Sequence, residues 1–184
     1  ELAQGNDAAV LDLPAERLAF STDSFVINPL FFPGGDIGKL AVCGTVNDVA
    51  TSGATPKFLS CSMIVEEGFE IENLRKICKN IAKTAQEAGV QVVTGDTKVV
   101  EKGHADGIFI NTAGIGVLED DRPSLCVENI KPGDSIIVSG YIADHGIAIM
   151  GARQGLEFTK NIESDCAPLG KMISKAIYAA PGKI

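Results

Sequence analysis

One stretch limits the possible folds more than any other: a long amphipathic pattern between two apolar, strand-like runs. In residues 70–88, apolar side chains recur every three or four positions with charged residues opposite them, and Gly89 follows as a natural helix end. The runs at residues 57–66 and 90–93 are rich in residues that favour strands. This order predicts a helix packed on a sheet, and therefore an α/β fold.

The remaining elements follow the same two patterns. Asp36 is placed to cap a helix that ends near Gly53, and the Lys131-Pro132-Gly133-Asp134 turn precedes a short apolar run. Predicted strands cover residues 17–27, 108–118 and 135–139, and predicted helices cover residues 37–52, 145–154 and 168–178.

The organisation of the chain follows from these elements. We expect residues 1–154 to form an N-terminal domain with a mixed sheet. Residues 155–184 are expected to be a linker and the first helix of a truncated second α/β domain, because residues 155–166 are polar.

Composition excludes several classes of function. The chain has 24 acidic and 16 basic residues, a formal net charge of -8, which argues against a nucleic-acid or anionic-membrane surface. No apolar run is long enough for a transmembrane helix, so a cytoplasmic location is expected. The five cysteines are spread without a C-x-x-C pair, which indicates reduced, mostly buried thiols and neither a disulfide framework nor a zinc site.

Four carboxylates interrupt stretches of small or apolar residues: Asp7, Asp23, Asp48 and Asp96. Asp48 is the most informative, because residues 40–50 are apolar nearly all round and a charge there is costly unless it is paired or binds a metal. Carboxylate oxygens are hard ligands suited to Mg²⁺, which combines a few of them with water and phosphate oxygens.

Each carboxylate also has a purely structural alternative. Asp7 could form a turn with Gly5 and Asn6, Asp23 could cap a bulge, and Asp48 could pair with a lysine.

Asp96 and Lys98 form a separate candidate site. Asp96 follows the predicted strand at residues 90–93, and strand ends are common ligand sites in α/β proteins. Lys98 would project to the same side of an extended chain and could meet a phosphate. The alternative is that Asp96 holds a turn containing Gly95.

In order along the chain, the acidic stretches resemble the motifs of one enzyme superfamily. These are GNDAAV at residues 5–10, STDS at 21–24, NDVA at 47–50 and TGDT at 94–97. They are similar to those of aminoimidazole ribonucleotide synthetase, selenophosphate synthetase, thiamine-monophosphate kinase and the hydrogenase maturation factor HypE. The text PLFFPGGDIGKL at residues 29–40 and CGTVND at 43–48 resembles the HypE family in particular.

The resemblance implies a fold and a ligand. The implied fold is PurM-like: a mixed or antiparallel sheet flanked by helices, which pairs with a twin to close a β-barrel in a homodimer. ATP and Mg²⁺ would sit near that interface. The implied ATP or phosphate ligands are Asp23, Asn47, Asp48, Asp96, Thr97 and Lys98, and the implied metal ligands are Asp7, Asp23, Asp48 and Asp96.

The resemblance also implies a reaction. Such an enzyme receives a carbamoyl group on its C-terminal cysteine from a HypF-like carbamoyltransferase. It then uses ATP to dehydrate the thiocarboxamide to a thiocyanate, which supplies cyanide to [NiFe] hydrogenase iron on a HypC/HypD-like complex. Ile184 is not a cysteine, so the carrier and any catalytic residue stay unassigned, and the chain alone is expected to be inactive.

Two other functions fit the same fold. A thiamine-monophosphate kinase-like enzyme would transfer phosphate to a small molecule, but its expected continuation after Thr22-Asp23 is replaced here by VINPLFF at residues 26–32. A non-catalytic dimeric scaffold would keep the barrel but fail to bind magnesium-ATP.

Overall fold

The computed structural model describes residues 9–12, 17–119, 125–155 and 161–180. One mixed five-stranded sheet carries helices on one face, so the predicted α/β class is confirmed. The elements are β1 (Ala9–Asp12), β2 (Arg17–Phe25), β3 (Phe31–Phe32), β4 (Gly35–Asp36), α1 (Ile37–Thr51), β5 (Thr55–Glu66), α2 (Ile71–Ala88), β6 (Gln91–Val100), β7 (Ile108–Leu118), a 3-10 turn (Val127–Asn129), α3 (Asp144–Gln154) and α4 (Gly170–Ala179).

The strand order in the sheet is β1-β2-β7-β5-β6, with β3 and β4 forming a separate small hairpin. β7 lies in the middle and runs antiparallel to both β2 and β5. β5 and β6 are parallel, so the chain must cross over between them, and α2 makes that crossover. β1 and β6 are the two edges of the sheet.

Burial alternates along β7 without a break, which shows that the sheet has two different faces. Ile108, Ile110 and Leu118 are at most 1% exposed and belong to the helix-covered face. Phe20, Phe58 and Ile115 pair in one row across β2, β7 and β5 on the other face. All three are exposed, so this open face is covered by no element among the described residues.

Helix α1 lies against the sheet, with α2 and α4 also packed on it, and is therefore buried nearly all round. Its start is fixed by Asp36, whose carboxylate accepts a hydrogen bond from the backbone N–H of Lys39 at 2.8 Å, as the sequence predicts. Glycines at positions 114 and 116 let the helix approach, because a Cβ on Gly116 would stand 2.5 Å from Val49. The predicted end near Gly53 is confirmed by its φ of 89°.

Two buried threonines join α1 to the centre of the sheet. The hydroxyls of Thr45 and Thr112 are 2.5 Å apart, and Thr112 also donates to the carbonyl of Ala41 at 3.1 Å. Neither residue is more than 1% exposed. Each buried hydroxyl therefore has a hydrogen-bond partner: the partner of Thr45 lies on β7, and the partner of Thr112 lies on α1. The pair fixes the position of α1 along β7.

Replacing Thr112 with valine keeps the shape but leaves the Thr45 hydroxyl without this partner. We expect the free energy of unfolding to fall by about 1–3 kcal/mol, the usual cost of an unsatisfied buried polar group. Urea unfolding of the variant measures this. Thr94→Val, on the exposed strand β6, serves as the control. An equal loss in both variants would contradict the role given to the threonine pair.

Helix α2 confirms the pattern from which the fold was predicted. It spans Ile71–Ala88 and turns Ile77, Ile81 and Ala85 to the core, while Gly89 ends it in the left-handed conformation with a φ of 80°. The buried stripe packs on α1, where Gly38 leaves room for the backbone of Ile77. The main core therefore lies between the sheet, α1 and α2.

Three predictions from the sequence are wrong. Residues 135–139 form no strand: Ile136 and Ile137 are 94% and 89% exposed, and a strand needs a neighbour for its backbone hydrogen bonds. The strand predicted at 90–93 continues to Val100, because β5 pairs with it along its whole length. The cysteines were expected to be mostly buried, but only two of the five are, Cys43 and Cys61. Cys78 is exposed, and Cys126 and Cys166 are half-buried.

The C-terminal part of the described chain contacts the first helix. The predicted helices at 145–154 and 168–178 are confirmed as α3 and α4, and α4 packs on α1 and β5. The domain division at residues 154 and 155 stays a prediction. None of the helices in the described ranges is both long and apolar enough to cross a membrane.

Candidate functional site

Two of the predicted carboxylates lie along one groove between β2 and α1. The hydroxyl of Ser21 donates to the Asp48 carboxylate at 3.1 Å, which joins the strand to the helix. Two residues further on β2, Asp23 projects to the same side of the strand. The Asp23 carboxylate is held by its neighbour in the chain, because it accepts a hydrogen bond from the backbone N–H of Ser24 at 2.7 Å.

Gly44 sets the spacing within this groove. A Cβ on Gly44 would lie 3.4 Å from the Asp23 carboxylate and 2.8 Å from the ring of Phe25, so the glycine lets β2 pass close to α1. Gly44 and Asp48 are one helical turn apart, which is about 6 Å along the axis. The two carboxylates therefore lie on the same side of α1, about one helical turn apart along β2.

Asn47 has a different environment from Asp48. Its side-chain amide donates to the carbonyl of Ala167 at 3.0 Å and accepts the backbone N–H of Leu169 at 2.8 Å. Both ends of the amide thus hold the chain that leads into α4. The structure places Asn47 next to the groove, and its role as a phosphate ligand stays a prediction.

The second group of predicted residues lies on β6. Asp96 forms an ion pair with Lys98 at 2.8 Å and accepts the backbone N–H of Thr97 at 2.9 Å. The hydrogen bond from Lys98, the bond from Thr97 and the charge of Lys98 lower the pKa of Asp96. Because β6 continues to Val100, Asp96 lies inside the strand, which corrects the prediction that it follows a strand end.

Within a single chain, the predicted residues on β6 lie far from the groove of Asp23 and Asp48. The pairing row of Asp23 runs through Thr112 and Cys61 to Gly95, which leaves Asp96 on the opposite, open face. Three strand spacings, about 14 Å, separate β2 from β6. Asp96 and Lys98 therefore lie apart from the groove of Asp23 and Asp48, Thr97 between them turns to the helix-covered face, and the phosphate-binding role of all three stays a prediction. Asp7, the remaining predicted metal ligand, lies outside the described residues.

The groove of Asp23 and Asp48 offers carboxylate oxygens as possible metal donors. Within the part of the chain that the structure describes, no three His, Cys, Asp or Glu side chains cluster as a preformed metal cage. Mg²⁺ does not need such a cage, because it binds through one or two carboxylates together with waters and substrate phosphates. Asp23 and Asp48 fit a magnesium ion that arrives with a nucleotide.

Sequence reasoning did not assign Ser21 and Asn111 to the site. Asn111 donates from β7 to the carbonyl of Asp23 and to the hydroxyl of Ser24, both at 2.9 Å, and so holds the strand that carries the carboxylate. Only the pairing of β2 with β7, which are far apart in sequence, brings Asn111 to Asp23, and only the packing of α1 on β2 brings Ser21 to Asp48.

The Gly-containing loop before α1 is a capped turn. Asp36 occupies the helix N-terminus and also accepts a hydrogen bond from Asn80 at 2.6 Å, while Lys39 donates to the carbonyl of Gly34 at 2.8 Å. A polar cleft of about 320 Å³ lies beside it, lined by Gly34, Gly35, Lys39, Asn80, Lys83, Thr84 and Glu87.

Glu66 holds the loop between β6 and β7. Its carboxylate accepts the backbone N–H groups of Gly103 at 2.5 Å and Gly107 at 3.0 Å, and these bonds lower its pKa. A lowered pKa means that the stabilisation is present above the ordinary glutamate pKa and is lost as the pH falls through the folded-state value.

We therefore expect the amide NMR signals of Gly103 and Gly107 to shift together only at acidic pH, below the ordinary value of 4.5. A Glu66→Gln variant should show no such acid transition, because its side chain does not titrate. Glu72→Gln, on the exposed surface of α2, is the control and should behave like the parent. A transition that persists in Glu66→Gln would refute the assignment.

Comparison with known proteins places the chain. The family model of AIR synthase related proteins, N-terminal domain, matches residues 5–118, which is more than half of the chain. The chain belongs to this family. The sheet, α1 and α2 described above all lie within the matched range, so the predicted PurM-like arrangement of a mixed sheet flanked by helices is confirmed, while closure of a barrel with a second copy stays a prediction.

Within the AIR synthase related family, the chain is similar to HypE proteins. Carbamoyl dehydratase HypE of Rhodobacter capsulatus is 52% identical over 174 residues, 95% of this chain and 51% of that protein. The crystal structure of a HypE–HypF complex has a TM-score of 0.89 at 54% identity, over 95% of this chain and 56% of that chain. Hydrogenase maturation protein HypE in complex with ATP has a TM-score of 0.85 at 50% identity, over 94% and 51%. The chain spans about half the length of these relatives.

Proposed function

We propose that this chain is the nucleotide-binding part of an ATP-dependent carbamoyl dehydratase of [NiFe]-hydrogenase maturation, working in the cytoplasm. The observation that carries the proposal is the similarity of about 50% identity to HypE proteins, one of them crystallised with ATP. The groove of Asp23 and Asp48 supports it, because two neighbouring carboxylates are suited to a magnesium-bound phosphate.

The reaction needs a good leaving group. In a thiocarboxamide the oxygen leaves poorly. Transfer of the ATP γ-phosphoryl group to that oxygen releases ADP and allows the oxygen to depart as phosphate, while the nitrogen gives up its two protons to solvent and the C≡N bond forms. When bound, Mg²⁺ would offset the charge on the phosphates. Asp23 and Asp48 would hold and orient the magnesium-nucleotide, and Asp7 is proposed as a further metal ligand.

The open face of the sheet supports the proposed homodimer. Phe20, Phe58 and Ile115 form an apolar row on this face, and β6 is an exposed edge beside it. A second copy of the chain would bury this row and close the two sheets into a barrel. Asp96 and Lys98 would then lie at the interface, with Thr97 between them on the strand, and we propose that these three residues act on nucleotide phosphates.

The proposed partners follow from the same relatives. HypE has been crystallised with HypF, so a HypF-like carbamoyltransferase is the proposed source of the carbamoyl group, and a HypC/HypD-like iron-carrying complex is the proposed acceptor of cyanide.

The test uses the full-length natural protein. We expect the C-terminal peptide to gain a carbamoyl group after incubation with carbamoyl phosphate, ATP and the carbamoyltransferase, and then to lose water in an ATP-dependent step, as measured by mass spectrometry. Omission of ATP from the second step is the control. A tail that carries no cysteine, or one that stays unmodified, would overturn the dehydratase proposal and favour a small-molecule kinase of the same fold.

A further inference from the structure

Two cysteines from distant parts of the chain meet beside α1. Cys43 lies in the middle of the helix and is 2% exposed, and Cys166 lies in the half-buried segment at residues 161–169 that leads into α4. Each thiol is the largest influence on the pKa of the other, so the two side chains lie side by side. Neither residue belongs to the groove of Asp23 and Asp48.

Backbone contacts on both sides of Cys166 hold it in this place. The N–H of Ser164 donates to the carbonyl of Pro33 at 2.9 Å, ahead of α1. After Cys166, the side chain of Asn47 binds both Ala167 and Leu169. Asn47 is one helical turn beyond Cys43 and shares its side of the helix, so these contacts keep the two sulfur atoms together.

The two thiols are not equivalent. The hydrogen bond from Cys43 lowers the pKa of Cys166, and the charge of Lys39 acts in the same direction. The same hydrogen bond, together with burial, raises the pKa of Cys43. Cys166 is therefore the better nucleophile of the pair, and Cys43 is the resolving thiol that would attack it in a second step.

We propose that Cys43 and Cys166 are a reversible disulfide site that reacts with low-molecular-weight disulfides. The proposal rests on the contact between the two sulfur atoms, on the clamps that hold Cys166, and on the burial of Cys43. It does not depend on the function proposed above.

The exchange balances in two steps. The Cys166 thiolate attacks one sulfur of the small disulfide, forms a mixed disulfide and releases the other half as a thiolate. The Cys43 sulfur then attacks Cys166, its proton passes to the second leaving thiolate, and a Cys43–Cys166 bond forms. The protein is oxidised by two electrons and the small disulfide is reduced to two thiols.

The bond would have a structural effect. An S–S bond is about 2 Å long, so the two sulfur atoms must approach each other to form it. Once formed, it fastens the segment before α4 to α1 by a covalent link in addition to the clamp of Asn47. Disulfides of intracellular proteins are usually transient and redox-sensing, which is the class of site proposed here.

The experiment treats the native full-length protein with oxidised glutathione and maps its cysteines by mass spectrometry after digestion without reductant. We expect a linked pair of peptides that contains Cys43 and Cys166, with the loss of two hydrogens, and its disappearance after treatment with dithiothreitol. If both cysteines remain thiols, or carry glutathione without any linked peptide, the proposal is overturned.

Variants separate the two roles. In Cys43→Ser, Cys166 should carry a glutathione that persists, because the resolving thiol is missing, while in Cys166→Ser the buried Cys43 should stay unmodified. Cys78→Ser, which removes an exposed thiol on α2, is the matched control and should form the same linked pair as the parent. Circular dichroism confirms that each variant is folded. A folded Cys43→Ser protein whose Cys166 resists glutathione would also overturn the proposal.

Discussion

Replacing Asp48 with asparagine in the full-length natural protein is expected to weaken magnesium-ATP binding by roughly ten- to a hundredfold. Asparagine keeps the shape and can still accept the hydrogen bond from Ser21, but it removes the negative charge offered to the metal. A lost interaction with a charged group costs about 1.5–3 kcal/mol, and each 1.4 kcal/mol is tenfold in affinity. Isothermal titration calorimetry with magnesium-ATP measures the change.

Two controls make the result specific. Asp106→Asn, a change in the loop before β7, should leave the affinity unchanged, and unfolding of Asp48→Asn by urea should show that the fold is kept. Removing Mg²⁺ from the titration should weaken binding by the parent more than by the variant, because Asp48 is proposed as a metal ligand. Equal affinities for parent and variant would remove Asp48 from the proposed site.

Replacing Gly95 with alanine is expected to separate β6 from β5. A Cβ at this position would stand 2.2 Å from the carbonyl oxygen of Cys61, and a backbone atom cannot rotate away as a side chain can. We expect the free energy of unfolding to fall by about 2–3 kcal/mol, near the upper end for an overpacked site. The midpoint of urea unfolding measures the loss.

The second readout is the oligomeric state. Because β6 borders the open face, the variant should also lose the proposed homodimer, which light scattering detects. Gly140→Ala is the matched control, since a Cβ there meets nothing within 4 Å. A Gly95→Ala protein as stable as this control would show that β5 and β6 tolerate a side chain at the contact.

Elements that carry their own local signals were predictable from the sequence. Asp36 caps α1 and Gly89 ends α2. The apolar spacing within residues 71–88 gives α2 itself, the helix that crosses over the sheet. Two strand predictions failed because strands depend on partners elsewhere in the chain. Gly95 looked like a turn residue, yet it continues β6 because a glycine is what the close pairing with Cys61 requires. Residues 135–139 have strand-like composition but no paired neighbour among the described residues.

The sequence was enough to select the residues of the candidate site, but it did not reveal how they are arranged in space. Asp23 and Asp48 stood out because a charge inside an apolar pattern needs a reason. That they share one groove depends on Gly44, and that Asp96 faces the opposite side depends on the strand order β2-β7-β5-β6. Strand order is set by packing over the whole domain, so no local pattern reveals it.

The central position of β7 also determines the order in which the domain can form during synthesis. β7 is the last of the described strands to be made, and the hydrogen bond from Thr22 to Thr112 joins residues 90 apart in sequence. β5, α2 and β6 can assemble early as a local unit, whereas β2 must wait for β7 to emerge. Until then one side of β2 has no partner, so this strand edge stays open to non-native pairing until β7 is made.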